Sequence, residues 1–394
     1  MIIRHVPEDQ ALEVGWDEVR ARRLARSSLA PRAPRDELVE VAGAVCGAHA
    51  QVQASAELQL AARVEGLVQA DVRSALWERR ELVKAWTVRG TLHLHPAGEL
   101  PLWFAARRAV LRSADKGLAA WRDPSGVLHP AIGADEVEAV RAAVWEVLDD
   151  RCLLRDELAA EVVERVGGAA QERLRSGFAF FLGDLCQGPP EGTRITLVRP
   201  DRWIDGWREV TDEGEALRAV CRRFLRTYGP ARPADFCEWF SSPAFKAANA
   251  RRLFDGLAAE LAEVSVEGRR SFVLAGDDSF DPPAGPKRSV RLLPEYDPYV
   301  MGFRERDRLV PAAVRELVVK HGRGRYEGPA GVRFVLVDGI AAGLWERQRR
   351  GRRIELRVRL ARRLGKAART ELELEAHRIG TFLGLEPELA IESS

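Results

Sequence analysis

One local pattern occurs three times along this chain: two or three amphipathic helices followed by a short β-hairpin. Such self-similarity marks a repeat architecture, and the order of elements is that of a winged helix-turn-helix. In the first copy, Asp36 to Val45 reads as a helix with Asp36 near its cap, Ser55 to Val64 as a second, and Asp71 to Arg80 as a third. The period then changes from helical to alternating. Leu82 to Val88 and Thr91 to His95 read as strands joined at Arg89-Gly90, the expected tip of a wing.

The second copy predicts helices over Asp135 to Leu148, Asp156 to Val166 and Glu172 to Leu185, then a strand over Arg194 to Val198, with Gly167-Gly168 and Pro189-Pro190 as punctuation. The third predicts helices over Glu215 to Tyr228, Pro233 to Phe240 and Pro243 to Leu257, then strands Leu261 to Val266 and Ser271 to Leu274 around Glu267-Gly268. After the loop Gly276 to Pro286, strands are expected near Ser289 to Leu293, Arg333 to Val337, Ile340 to Arg347 and Arg353 to Leu360, and a helix from Leu364 to Leu383. The fold class is therefore α+β: winged helix-turn-helix units over residues 1–100, 101–205 and 206–280, and a C-terminal antiparallel β unit over 281–394. A length of 394 residues suits two to four packed units.

Composition narrows the function classes. Hydrophobic residues make up 46% and charged residues 30%, the balance of a globular chain. Met1 to Gln10 carries Arg4, Glu8 and Asp9 and has no apolar core, so neither a secretory signal nor a membrane span is expected, and the chain is read as cytoplasmic. Five widely spaced cysteines without a C-x-x-C pair argue against a disulfide framework or zinc cluster and read as reduced, mostly buried thiols. The net charge of only +2 leaves polyanion binding to local patches. Only six of the 61 basic residues are lysine, which GC-rich coding explains as readily as phosphate recognition does.

The densest patch is the hairpin Arg347-Gln348-Arg349-Arg350-Gly351-Arg352-Arg353, with five arginines at one tip, suited either to a phosphate backbone or to open water. Arg304, Arg306 and Arg308 could form a second row only if extended, surface salt bridges being the alternative. His93 and His95 form H-x-H on a strand but lack a third ligand, so no metal is expected. Between the first two helices lies Gly47-Ala48-His49-Ala50-Gln51-Val52-Gln53-Ala54-Ser55. In an extended stretch Gln51 and Gln53 would face one side while Val52 anchored in the core. Two nearby glutamines also serve commonly as polar surface or backbone caps.

These segments together resemble the AlkZ-like DNA glycosylases: the Gln-Val-Gln core of Ala48 to Val64, Arg89-Gly90-Thr91-Leu92-His93, Tyr228-Gly229-Pro230, and Leu293-Pro294-Glu295-Tyr296-Asp297-Pro298-Tyr299. The resemblance spans nearly the whole chain. It implies tandem winged helices around a DNA-sized concavity, a catalytic Gln-x-Gln pair at Gln51 and Gln53, and excision of bulky N7-alkylguanines, interstrand crosslinks among them, in repair and genotoxin self-resistance. The related YcaQ branch carries Gln-x-Asp, so Gln53 places this chain with the AlkZ branch. The partner implied is double-stranded DNA containing alkylated guanine, met by a monomer without cofactor; from their place on the wing and their charge, Arg89 and His93, and Arg347, Arg349, Arg350, Arg352 and Arg353 of the hairpin, are expected as DNA contacts. Asp297 sits in a turn with buried aromatics, bordering the cleft without a chemical role. Fold alone leaves a winged-helix transcription regulator as the alternative, since such folds are common vehicles for both.

Overall fold

The computed structural model describes residues 12–393, apart from 112–116, 118–119, 123–125, 168–183, 243, 278–279, 281–288, 303, 322–324, 327 and 329. Its contacts group the chain into two compact units. The first comprises Met1–Arg73, Cys221–Trp239 and Ala247–Ser394, the second Ser74–Val220 and Phe240–Lys246.

The first unit is built on a five-stranded sheet ordered Val290–Leu293, Phe334–Val337, Ile340–Arg350, Arg353–Leu360 and Glu386–Ser393. The first four strands pair antiparallel, as expected. Two-residue turns join the second strand to the third and the third to the fourth: Asp338 and Gly339 both have positive φ (52° and 79°), and Gly351 (φ 61°) opens the next, one residue later than the sequence suggested. In Arg353–Leu360 every second residue, Ile354, Leu356, Val358 and Leu360, is buried, the period-2 signature of a half-buried strand. The fifth strand was not expected. Glu386–Ser393 runs parallel to Arg353–Leu360 after helix Lys366–Leu383, which ends on left-handed Gly384. Pro387 and three glutamates hide its alternation, yet an edge strand tolerates proline because one side of it needs no ladder hydrogen bonds.

Helices pack on this sheet through Leu309, Val310, Val314 and Leu317, joined by Leu24 and Leu29 from the segment that begins with helix Trp16–Arg26. A smaller sheet pairs Leu12–Val14 parallel with Leu261–Val266, which forms the expected hairpin with Arg269–Leu274 across Glu267-Gly268.

In the second unit the strands lie in the order Leu92–Pro96, Leu82–Trp86, Cys186–Glu191, Arg194–Val198 and Leu153–Leu154, all antiparallel. Pro189 and Pro190, read as punctuation, lie inside a strand whose register shifts between Gly188 and Glu191, the kind of irregularity at which a sheet accepts proline. Helices Ala134–Val147 and Arg155–Val166 bury Val137, Val140, Val144, Leu158 and Val162 at helical spacing. Most of the helix expected over Glu172 to Leu185 lies outside the described residues; Asp184 and Leu185 are not helical. Cys46, Cys186 and Cys221 are buried thiols, whereas Cys152 is exposed and Cys237 half-buried, so the cysteines are less uniformly interior than expected. Burial pushes the Cys186 and Cys221 thiols far up, keeping them protonated.

Candidate active site

The candidate site forms where helix Leu38–Ala44 ends. Cys46 (φ 60°) and Gly47 (φ 93°) are consecutive left-handed residues whose N–H groups return to Gly43 and Ala42, closing the helix and turning the chain. Ala48, His49 and Ala50 are then buried, and the chain emerges at Gln51 and Val52, both exposed.

Here the structure corrects the sequence reading. The Gln-Val-Gln segment is not extended throughout: Gln51 lies in a bend, Val52 is the extended N-cap (φ −111°, ψ 107°), and Gln53 is the first residue of helix Gln53–Ala61. Val52 does not anchor in the core but is 42% exposed. The backbone explains why. The Val52 carbonyl accepts from the N–H groups of Ser55 and Ala56, which starts the helix two residues earlier than expected and turns the valine outward.

Helix Gln53–Ala61 is held by its polar residues to an unusual degree. Ser55, fully buried, donates its hydroxyl to the Glu295 carbonyl. Gln59, also fully buried, donates to the His49 carbonyl at 3.0 Å, pinning the backbone two residues before Gln51. Arg63, just past the helix, forms a two-pronged ion pair with Asp297 (2.8 and 2.7 Å), both side chains wholly shielded from water, and also donates to the Gln59 carbonyl. Asp297 in turn caps helix Pro298–Met301 by accepting from the Tyr299 N–H.

The Leu293-Pro294-Glu295-Tyr296-Asp297-Pro298-Tyr299 segment is thus stitched to this helix at two points. Tyr296, with φ 60°, stacks its ring on His49 at 4.8 Å. Tyr299 is buried as expected, and its hydroxyl donates to the Gly339 carbonyl; burial raises its pKa well above the usual phenol range. Glu295 pairs with Arg333. Burial alone would raise the Glu295 pKa, but hydrogen bonds from Arg333 more than offset this and hold it below the usual carboxylate range.

Glu57, one turn after Gln53, is buried to 1% exposure. Its carboxylate accepts from Gln53 Nε2 at 3.4 Å, Gln69 Nε2 at 2.6 Å and Arg73 Nε at 3.3 Å. Arg347 lies close enough to feel Glu57, Glu295 and Arg333; burial and the like charge of Arg333 lower its pKa. It is therefore not at the hairpin tip with the other arginines. Arg350 pairs with Arg353 next to the turn, and Arg347 sits three residues lower, opposite Leu356. The structure accordingly brings Gln53 and Arg347 to one side of the first unit. Arg349, Arg350, Arg352 and Arg353 stand exposed at the tip, where Arg350 is paired with Glu355 and Arg353 with Glu386.

Arg89 and His93 belong to the second unit. Arg89 (φ 60°) is half-buried at the expected hairpin turn. His93 is fully buried, which corrects its reading as a surface contact: its ring meets Thr87 Oγ1 at 3.2 Å and Arg89 Nη2 at 3.2 Å, so it supports the turn from inside. His95 turns on the same hydroxyl at 2.9 Å and packs on Trp103. Leu92 and Leu94 point inward as expected. The Arg304, Arg306 and Arg308 row is not extended; Arg306–Leu309 is a helical turn, and the three arginines pair with Asp235, Glu238 and Glu267. Among the described residues no group of three or more His, Cys, Asp or Glu side chains is arranged to hold a metal, and no helix is long and apolar enough to cross a membrane.

Sequence reasoning missed Glu57, Arg63, Glu295 and Arg333 as parts of this site. Only Glu57 carried a local signal, its spacing of four from Gln53 on a helix; Arg63 and Glu295 meet their partners across more than 200 residues, and Arg333 meets Glu295 across 38.

Known proteins resemble this chain over most of its length. The family model described as DNA glycosylase AlkZ-like matches residues 42–382, which include Gln51, Gln53, Glu57 and the Glu295 to Tyr299 segment. A curated relative from Streptomyces sahachiroi, named an interstrand DNA cross-link repair glycosylase, is 31% identical over 343 residues, covering 85% of this chain and 88% of the relative. The solved structure of Streptomyces sahachiroi DNA glycosylase AlkZ superposes with a TM-score of 0.75 at 29% identity, covering 97% of this chain and all of that one. With a family model matched over most of its length, and with curated and structural relatives of one kind, the chain belongs to the AlkZ-like DNA glycosylases.

Proposed function

We propose that this glycosylase hydrolyses the N-glycosidic bond of N7-alkylguanine in double-stranded DNA, including guanines held in interstrand crosslinks, acting as a cytoplasmic monomer in repair and self-resistance to an alkylating toxin. The observation that carries the reading is the Gln51-Val52-Gln53 segment, exposed at its first two residues and mounted on a helix whose other polar groups are locked by burial. The crosslink relative from Streptomyces sahachiroi supports the finer substrate class. We read residues 1–100, 101–205 and 206–280 as winged helices that give the DNA its bed.

The chemistry asks little of the protein. Alkylation at N7 makes guanine cationic, so N9 leaves with the bonding electron pair and the sugar passes through an oxocarbenium-like state. An amide is no useful general base. Its carbonyl oxygen can still hold a water in line with C1′ and place the negative end of a dipole beside the developing cation. Water oxygen bonds to C1′, its proton passes to solvent, and an abasic sugar remains. No lysine accompanies the motif to attack C1′, so the reaction is hydrolytic and monofunctional. A crosslinked base cannot rotate out of the helix, and a Gln-Val-Gln segment that opens to solvent at Gln51 and Val52 avoids the cost of flipping it into a closed pocket.

Incubating the protein with duplex DNA containing N7-methylguanine, followed by alkaline strand scission, tests the reading. Scission at modified positions above spontaneous depurination is expected. Scission at background level, or a tight dimer on one palindromic sequence by light scattering, would overturn it.

The hairpin tip supplies phosphate contacts. Neutralising a phosphate releases a counterion, so each lost contact should flatten the salt dependence by a log-log slope of about 0.9. Arg350 and Arg353 would have to exchange Glu355 and Glu386 for phosphate, whereas Arg349 and Arg352 are in no ion pair among the described residues. Replacing Arg349 and Arg352 with alanine should therefore flatten the slope more than replacing Arg350 and Arg353, as read by anisotropy titrations over a salt series. An unchanged slope in the fourfold variant removes the hairpin from the interface.

A further inference from the structure

We propose that Glu57 is a positioning residue: it holds the Gln53 side-chain amide in the one orientation that turns its carbonyl oxygen away from the protein and toward the reacting water. This rests on the catalytic reading of Gln53 above and adds to it the reason why its amide presents an acceptor there.

A primary amide has two nearly isosteric orientations that differ only in which end carries the donor. A half-buried glutamine such as Gln53 fits either, and in one of them an N–H group, not a carbonyl, would point at the nucleophilic water and at the cationic sugar. Glu57 breaks that symmetry. An ionised carboxylate only accepts hydrogen bonds. With Gln53 Nε2 at 3.4 Å from Glu57 Oε1 the pair attracts; flipped, the Gln53 carbonyl would face an anionic oxygen at the same distance. At 1% exposure no solvent screens that repulsion.

Glu57 is itself immobile. Gln69 donates to its Oε2 at 2.6 Å and Arg73 to its Oε1 at 3.3 Å, both from the neighbouring helix that begins at Gln69. Placed four residues after Gln53 on the same helix, the carboxylate lies on the same face one turn along, where it acts on the Gln53 amide.

The test is a double-mutant cycle in single-turnover excision from N7-methylguanine duplex, with DNA affinity measured in parallel. Glu57→Gln keeps the shape but offers Gln53 either a donor or an acceptor. It should slow the excision step roughly tenfold, the scale of a misplaced catalytic group, and leave duplex affinity unchanged. In a Gln53→Ala background the same substitution should cost nothing further, because the group it positions is gone. A wild-type rate for Glu57→Gln, or an equal loss in both backgrounds, would overturn the proposal, the second outcome assigning Glu57 a purely structural part. If Gln53→Ala itself excises at the wild-type rate, the catalytic reading fails and takes this one with it; slow Gln53→Ala with fast Glu57→Gln removes only the role of Glu57. Should Glu57→Gln not fold by circular dichroism, Gln69→Leu removes the shortest hydrogen bond to the carboxylate while leaving its charge. It should give a smaller loss that likewise vanishes in the Gln53→Ala background, and persistence of that loss would overturn the proposal.

Discussion

Exchanging Gln51 or Gln53 for alanine is expected to lower single-turnover excision of N7-alkylguanine by about 10²–10³-fold, the cost of removing one preorganised polar partner of a transition state. The variants should remain folded. Gln51 is exposed and Gln53 half-buried at the first helical position, so neither fills the core, and the N-cap bonds of this helix come from the Val52 backbone carbonyl. Affinity for undamaged duplex should change far less than the rate, since phosphate contacts dominate it. Gln53→Asp is the more informative exchange. It installs the residue of the related branch, and appreciable retained activity would show that position 53 works by orienting water. Wild-type rates for both alanine variants would remove the pair from catalysis while leaving the glycosylase assignment standing.

Breaking the Arg63–Asp297 pair from one side is expected to destabilise the first unit by about 3–5 kcal/mol, because the surviving charge stays buried without its partner. Arg63 and Asp297 are both fully shielded and meet through two charge-assisted bonds of 2.8 and 2.7 Å. Asp297→Ala also loses the cap on Tyr299, whereas Arg63→Met loses only the pair and its bond to the Gln59 carbonyl. Urea unfolding should show that the double variant is far less damaged than the sum of the single losses, since neither charge is then left alone. Additive losses would mean that the two residues stabilise independent parts of the unit. Because Asp297 lies two residues from the Ser55–Glu295 contact and next to the Tyr296–His49 stack, single variants that remain folded should also slow excision.

Much of the fold was legible in periodicity. Arg194–Val198, Pro233–Phe240, Leu261–Val266 and Arg353–Leu360 occur with the bounds expected, and the hairpins at Glu267-Gly268 and Asp338-Gly339 sit where the turn residues placed them. These elements are governed by local chemistry: alternation or a 3.6-residue apolar stripe, closed by residues that tolerate positive φ. The elements that escaped include the helices Trp16–Arg26, Leu100–Leu111 and Ala312–His321, and three strands, Leu12–Val14, Cys186–Glu191 and Glu386–Ser393, whose side chains signal little by themselves. Leu12–Val14 and Glu386–Ser393 are strands only because a strand elsewhere in the sequence supplies the ladder, whereas Cys186–Glu191 pairs with its neighbour Arg194–Val198 on one side and with Leu82–Trp86 on the other.

The candidate site divides along the same line. The sequence by itself determined that two glutamines lie among small residues between two helices, that arginines crowd one hairpin, and, through motif resemblance, which enzyme family carries such a pair. Fold class could not separate that family from transcription regulators; the match over residues 42–382 did. Only the tertiary structure decided which way the motif faces. Val52 was expected inside because apolar residues seek burial, but the Val52 carbonyl starts a helix, and helix geometry turns its side chain to solvent. His93 was expected outside because it is polar on a wing, but Thr87 and Arg89 satisfy its ring in the interior. Glu57 meets Gln69 and Arg73 from another helix, and Arg63 meets Asp297 across 234 residues. Local sequence dictates backbone conformation, whereas a buried charge is tolerable only opposite a specific partner, and that partner is chosen by long-range packing that no short window of sequence contains.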